Sequence, residues 1–220
     1  MSKQFLAIIA VIIIVLVGIF ALTGNKSSNS GGKSSSGKPT SHIEGNDKSG
    51  VTLVEYGDFE CPFCEEAYPV VKQTVSQFND QISFQFRNFP LVSIHQNAFA
   101  GARAAEAAGL QGKYFQMHDL LYDNQNQWAQ SSNPTTYFNQ YAKQLGLNVT
   151  QFKKDYGSTA VNDAINADMA AGNKLGVNAT PTFYLNGKQI NLNPEDQSSV
   201  KAFAQQIQAA IDQKSSAKKN

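Results

Sequence analysis

The chain has 220 residues, 41% hydrophobic and 16% charged, enough for one domain of ordinary size with appendages and too apolar for disorder. The net charge of +1 hides an uneven distribution, because residues 50–213 carry 10 Lys and Arg against 15 Asp and Glu, a net of −5. An acidic body without a basic groove excludes nucleic-acid binding, and two cysteines exclude a disulfide-stapled scaffold, so packing must hold the fold.

Phe5 to Thr23 reads FLAIIAVIIIVLVGIFALT, 19 residues without a charge. As a helix it would extend roughly 28 Å, about the thickness of a bilayer's hydrocarbon core, so residues 1–24 predict a single-pass transmembrane anchor. The alternative is a cleaved signal sequence and a secreted product. Such a segment usually has an apolar region of about 7–15 residues and a small-x-small cleavage site, and Ala21-Leu-Thr-Gly24 is a poor one. The flanking lysines do not favour a cytoplasmic N-terminus, so the side on which the body lies rests on its chemistry. Residues 25–49, rich in Ser, Gly, Asn and Lys, predict a flexible tether spanning on the order of 25–30 Å, with His42 solvated in it.

Val51–Tyr56 is β-branched and mostly apolar, the pattern of a strand buried on both faces. Cys61–Phe78 has helical periodicity, with Pro62 suited to the first turn and Pro69 expected to kink it. Ile82–Phe89 alternates as a second strand. Helices are then predicted over His95–Gly109, Lys113–Asp123, Pro134–Leu145 (capped by Asn133), Thr150–Tyr156 (capped by Thr150) and Ser158–Leu175. Thr182–Leu185, the turn Asn186-Gly187 and Lys188–Ile190 read as a hairpin, followed by an amphipathic helix over about Pro194–Asp212 and a disordered tail, 214–220. The order implies an α/β core, residues 50–213, carrying an all-helical insertion at about 95–176. Trp128 is read as packing within that insertion, and His95 and His118 as capping or packing residues.

The two cysteines are Cys61 and Cys64, with Pro62 and Phe63 between them. A structural zinc site needs about four ligands, and His42, His95 and His118 form no second pair at matching spacing; no metal is expected. A purely structural disulfide would gain little from closing so short a ring. Redox exchange fits better. A cysteine at a helix N-terminus meets unpaired N–H groups and the positive end of the helix dipole, which favour the thiolate. Cys61 is therefore the expected nucleophile and Cys64, one turn inside, the resolving thiol.

His42-Ile-Glu-Gly-Asn46, Val54-Glu-Tyr-Gly-Asp-Phe-Glu-Cys-Pro-Phe-Cys64, Phe86-Arg-Asn-Phe-Pro90, Ala104-Ala-Glu-Ala-Ala-Gly109, Met117-His-Asp-Leu-Leu121 and Thr180-Pro-Thr-Phe183 together resemble the DsbA-like thiol–disulfide oxidoreductases of the thioredoxin superfamily. The resemblance covers about residues 42–212. It implies a thioredoxin-like core, a central mixed sheet flanked by helices, with the helical insertion between the strand at about 82–89 and the strand at about 181–185. It also implies that Pro181 is the cis-proline facing the cysteine pair, that Thr180 and Pro181 shape substrate docking, and that Glu55 is the buried acid that helps move protons during exchange. Desolvation should raise the Glu55 pKa. Two departures stand out. Phe63 occupies the place of a His in the strongest oxidants, and Thr180 also occurs in the isomerase branch. Phe63, with Asp58, Glu60, Glu65 and Glu66 around the pair, predicts a less stabilised thiolate and a weaker oxidant than the His-containing members.

In function, the resemblance together with the apolar segment Phe5–Thr23 implies a monomeric, membrane-tethered, extracytoplasmic enzyme that introduces disulfides into exported proteins. Such an enzyme needs no dissociable cofactor and is reoxidised by a membrane partner such as a quinone-linked protein. The alternatives are a reductase or isomerase on the same fold, or a membrane-anchored binding or chaperone module in which the cysteine pair is only a structural clip.

Overall fold

The computed structural model describes residues 37–217. The apolar segment Phe5–Thr23, the first part of the expected tether and residues 218–220 lie outside the described residues. Among the described residues, no helix is long and apolar enough to cross a membrane.

In chain order the elements are β1 (Glu44–Gly45), β2 (Thr52–Gly57), α1 (Pro62–Phe78), β3 (Ser83–Asn88), α2 (Ala98–Gly109), α3 (Tyr114–Asp123), α4 (Gln125–Trp128), α5 (Thr135–Gln144), α6 (Val149–Tyr156), α7 (Thr159–Lys174), β4 (Thr182–Leu185), β5 (Lys188–Ile190) and α8 (Gln197–Ala217). The sheet order is β1-β3-β2-β4-β5. Only β2 and β3 run parallel, and α1 makes the crossover that such a pair needs. The other pairs are antiparallel. This is a thioredoxin-like mixed sheet with α2–α7 inserted between β3 and β4, as the element order implied.

Central position explains the composition of β2. Alternate side chains leave opposite faces: Leu53 joins the main core, whereas Tyr56 packs with Phe89, Val177 and Tyr184 in a smaller cluster. Glu55 is two residues on from Leu53 and shares its face. The β4–β5 turn places Asn186 at φ 49° and Gly187 at φ 81°, the left-handed pair of a tight hairpin turn. Asn186 Oδ1 also accepts a 2.8 Å bond from the backbone of Thr52, clipping the turn to β2. On the same side of the core, Phe203 of α8 meets Phe183 of β4 edge-on, with ring centroids 5.2 Å apart.

Several expectations need correction. The tether ends earlier than residue 49, because residues from Thr40 onward pack on the domain. Thr40 is buried and donates its N–H to Asp168 at 2.9 Å. His42 is not solvated: its Nε2 lies 3.1 Å from Glu106 and its ring stacks 4.0 Å from that of Tyr114. A Cβ on Gly109 would strike that imidazole, so glycine closes α2 for His42's sake, while the left-handed residue is Gly112, at φ 73°. α8 continues to Ala217, into the expected tail, and α1 runs unbroken through Pro69. Asn148, not Thr150, caps α6 by accepting the Gln151 N–H at 3.0 Å. Asn133 instead accepts the Thr135 hydroxyl, and Pro134 stands at the start of α5.

Candidate active site

The central strand β2 ends at the loop Asp58-Phe-Glu60, which delivers Cys61 to the N-cap of α1 with Pro62 at the first helical position. Cys61 takes extended dihedrals there, and its carbonyl accepts the N–H groups of Cys64 and Glu65 at 3.1 and 3.2 Å. Pro62 costs the helix no hydrogen bond at this position. Both cysteines are free thiols and both are buried, whereas Phe63 between them is 65% exposed.

The bond between Thr180 and Pro181 is cis, and the Thr180 carbonyl lies 3.4 Å from the Cys61 sulfur. Residues 119 positions apart in the chain thus meet at one sulfur. The Thr180 hydroxyl is buried with no hydrogen-bond partner among the described residues and can donate to a Cys61 thiolate. Donors of this kind separate the two thiols. The hydrogen bond with Cys64 is the largest influence on Cys61, and with contributions from Thr180 and the backbone at Phe63 and Cys64 it outweighs burial and brings the pKa down to about 6. Burial, then the hydrogen bond with Cys61 and its charge, drives Cys64 the other way, well above its ordinary value.

Glu55 lies 2% exposed on the core face of β2. Burial, reinforced by the charge of Cys61, raises its carboxyl to about 8. Next to it, Gly57 leaves room for the Phe86 ring, which any Cβ there would overlap. The structure therefore brings together Cys61, Cys64, Glu55, Thr180 and Pro181, the residues singled out in the sequence, with Pro62 and Phe63 completing the helix start.

The acidic rim is arranged differently from the expectation. Asp58 and Glu60 are buried, their carboxylates engaged by the insertion. Asp58 accepts from the backbone of Glu60 and Leu91 at 2.8 and 2.9 Å and lies 2.7 Å from His95 Nδ1. Glu60 accepts from the Asn97 backbone. These carboxylates tie the cysteine loop to the start of the insertion. Gln125 of the short helix α4 adds a second tie, donating to the carbonyls of Phe59 and Cys61 at 2.9 and 3.0 Å. Sequence reasoning missed Gln125 altogether, since nothing marks one glutamine in a four-residue helix. For Asp58 and Glu60 the clue was weak: suitable donors at His95 and Asn97, each 37 residues downstream.

Comparisons with known proteins agree with this fold. A family model described as Thioredoxin matches residues 37–209. A protein named Na(+)/H(+) antiporter NhaA 1 from Mycolicibacterium gilvum is 36% identical over 67% of this chain, but the match spans only 24% of that protein. Among solved structures, a thioredoxin-like oxidoreductase from Silicibacter pomeroyi is 27% identical, with a TM-score of 0.60 over 75% of this chain and 92% of its own. BdbD from Bacillus subtilis is 23% identical, with a TM-score of 0.65 over 78% of this chain and 96% of its own. The chain belongs to the thioredoxin family and has the fold of the DsbA-like thiol–disulfide oxidoreductases.

Proposed function

We propose that the chain oxidises the dithiols of exported proteins on the extracytoplasmic side of a membrane. The observation that carries the reading is the asymmetry of the pair: Cys61 brought down to about 6 and Cys64 pushed well up, above a buried carboxyl. In the oxidising direction a substrate thiolate attacks Cys61 of the disulfide form. The electron pair of the broken S–S bond goes to Cys64, which takes a proton from Glu55. A second substrate thiolate then attacks the substrate's sulfur in the mixed disulfide and releases Cys61 as thiolate. The easier it is for Cys61 to leave as an anion, the more favourable this step becomes. The Thr180 carbonyl, joined to Pro181 by the cis bond, lies against the sulfur under attack, where an extended substrate segment would align.

A membrane setting is supported by the apolar segment Phe5–Thr23 and by the occurrence of a similar stretch within proteins named as antiporters. On this reading the segment tethers a monomeric domain, and a membrane protein, quinone-linked by resemblance, reoxidises the pair without a dissociable cofactor of the chain's own. A reductase or isomerase would use the same residues at a lower potential, and Thr180 is, by resemblance, a residue type shared with the isomerase branch. A binding or chaperone module with a structural cysteine clip separates from both in one assay. Cys61→Ser is expected to abolish oxidation of a reduced, unfolded substrate; retention of the wild-type effect would leave only the binding module.

A further inference from the structure

During dithiol exchange Glu55 gives up and regains a proton, yet only 2% of its surface is exposed. That proton needs a route to solvent. A cavity of about 20 Å³ is lined by Glu55, Tyr68, His118 and Tyr122, with Lys72, Asp119 and Glu44 among its other polar walls. Its volume suits one water molecule.

His118, on α3, is the unusual member. Its Nδ1 lies 3.1 Å from Asp119 Oδ1, and Lys72 Nζ lies 2.9 Å from Asp119 Oδ2. An ionised carboxylate only accepts, so Nδ1 carries the ring proton and Nε2 presents a lone pair. Nε2 is buried with no hydrogen-bond partner among the described residues, a state that buried polar atoms rarely hold without a water or ligand. Rings of Phe59, Tyr68, Phe86, Phe115 and Tyr122 surround the imidazole at centroid distances of 4.9 to 5.8 Å. The ionisable groups near it are Glu55 on β2, Glu44 on β1, Tyr68 and Lys72 on α1, and Asp119, Tyr122 and Asp123 on its own helix. Of these, the carboxylate that the ring can hand a proton to is Asp119, whose side chain is 34% exposed; Lys72, already an ammonium, holds that carboxylate in place. Burial lowers the His118 pKa, which suits a group that passes a proton on and does not store it.

We propose that His118 relays protons for Glu55, with one water bridging the carboxyl to Nε2 and Asp119 linking the ring to solvent. The proposal rests on the proton-carrying role of Glu55 in the oxidoreductase reading. His118 touches neither sulfur, so it is a positioning residue that acts through Glu55. When the reduced pair is reoxidised, the Cys64 thiol gives its proton to Glu55, and its sulfur bonds to Cys61. The electron pair of the broken mixed disulfide leaves on the partner's sulfur. Glu55 passes the proton to the water, the water protonates Nε2, and Nδ1 releases its own proton to Asp119. The ring changes tautomer. The oxidising half of the cycle carries one proton inward along the same groups and restores it.

The test is single-turnover quenched flow of the reduced full-length protein with oxidised glutathione, separating formation of the mixed disulfide from its resolution by Cys64. His118→Phe, which keeps an aromatic ring in the cage, should leave formation unchanged and slow resolution about tenfold at pH 7. Asp119→Asn, on a side chain one-third exposed, should slow resolution several-fold. Unchanged resolution in either variant, or equal slowing of both steps, contradicts the relay. Glu55→Gln separates the two claims: if it slows resolution while His118→Phe does not, only the relay fails; if it too has no effect, the role of Glu55 fails with it.

Discussion

Cys61 and Cys64 carry the same side chain three positions apart, and their surroundings make them acid and near-inert thiol. Cys61 stands at the N-cap with donors from Cys64, Thr180 and the first helical turn; Cys64 is enclosed and sees the negative charges of Cys61 and Glu55. Titration of thiolate absorbance in the reduced protein should show one midpoint near 6. Thr180→Val should raise it by removing a donor. The linked effect on stability has a definite sign: a lowered thiol pKa stabilises the folded, reduced form fully above the unfolded value of about 8.5, and that contribution fades as pH falls through about 6. Glu55 has the opposite sign. A carboxyl raised to about 8 costs nothing below its unfolded pKa and destabilises increasingly between there and pH 8. Urea unfolding should therefore find Glu55→Gln more stable than wild type by roughly 3 kcal/mol near pH 7 and nearly equal at pH 4. The burial of Glu55 was legible from the apolar strand around it. The burial of Asp58 and Glu60 was not, because their partners lie on an element far along the chain.

The elements around the site obey local rules to different degrees. The turn Asn186-Gly187 and the N-terminal start of α1 at Cys61-Pro62 could be read directly, since only certain residues suit those dihedrals. β1 and α4 could not. A two-residue strand has no period, and β1 exists because Glu44 and Gly45 pair with Phe84 and Ser83. α4 has four residues, too few for helical periodicity, yet it carries the glutamine that holds the cysteine loop. Removing that amide leaves the Phe59 and Cys61 carbonyls buried without their side-chain donor. Gln125→Ala should thus destabilise by about 1–3 kcal/mol in thermal or chemical unfolding. The thiolate midpoint should move little, because the donors to Cys61 come from Cys64, Thr180 and the helix start.

At the scale of the molecule, sheet and insertion meet at the buried polar groups between β3 and α7. Asp168 of α7 accepts the backbone N–H groups of Thr40 and Asn88 and lies 3.2 Å from Arg87, so one carboxylate ties the segment before β1, the strand β3 and the insertion together. Element order alone indicated an α/β core with a helical insertion; this polar tie was invisible to it, because it joins residues up to 128 positions apart. The same long-range assembly puts Thr180 against Cys61 and so sets the balance between dithiol and disulfide, a property of the whole folded chain. The reduction potential of the Cys61–Cys64 pair, equilibrated against glutathione, tests the proposed oxidising role most directly. With Cys61 near 6, between the reference values of about 3.5 for DsbA and about 7 for thioredoxin, the potential should fall between about −120 mV and about −270 mV, the values of those two proteins. A potential at or below that of thioredoxin would contradict the account and mark the chain as a reductase.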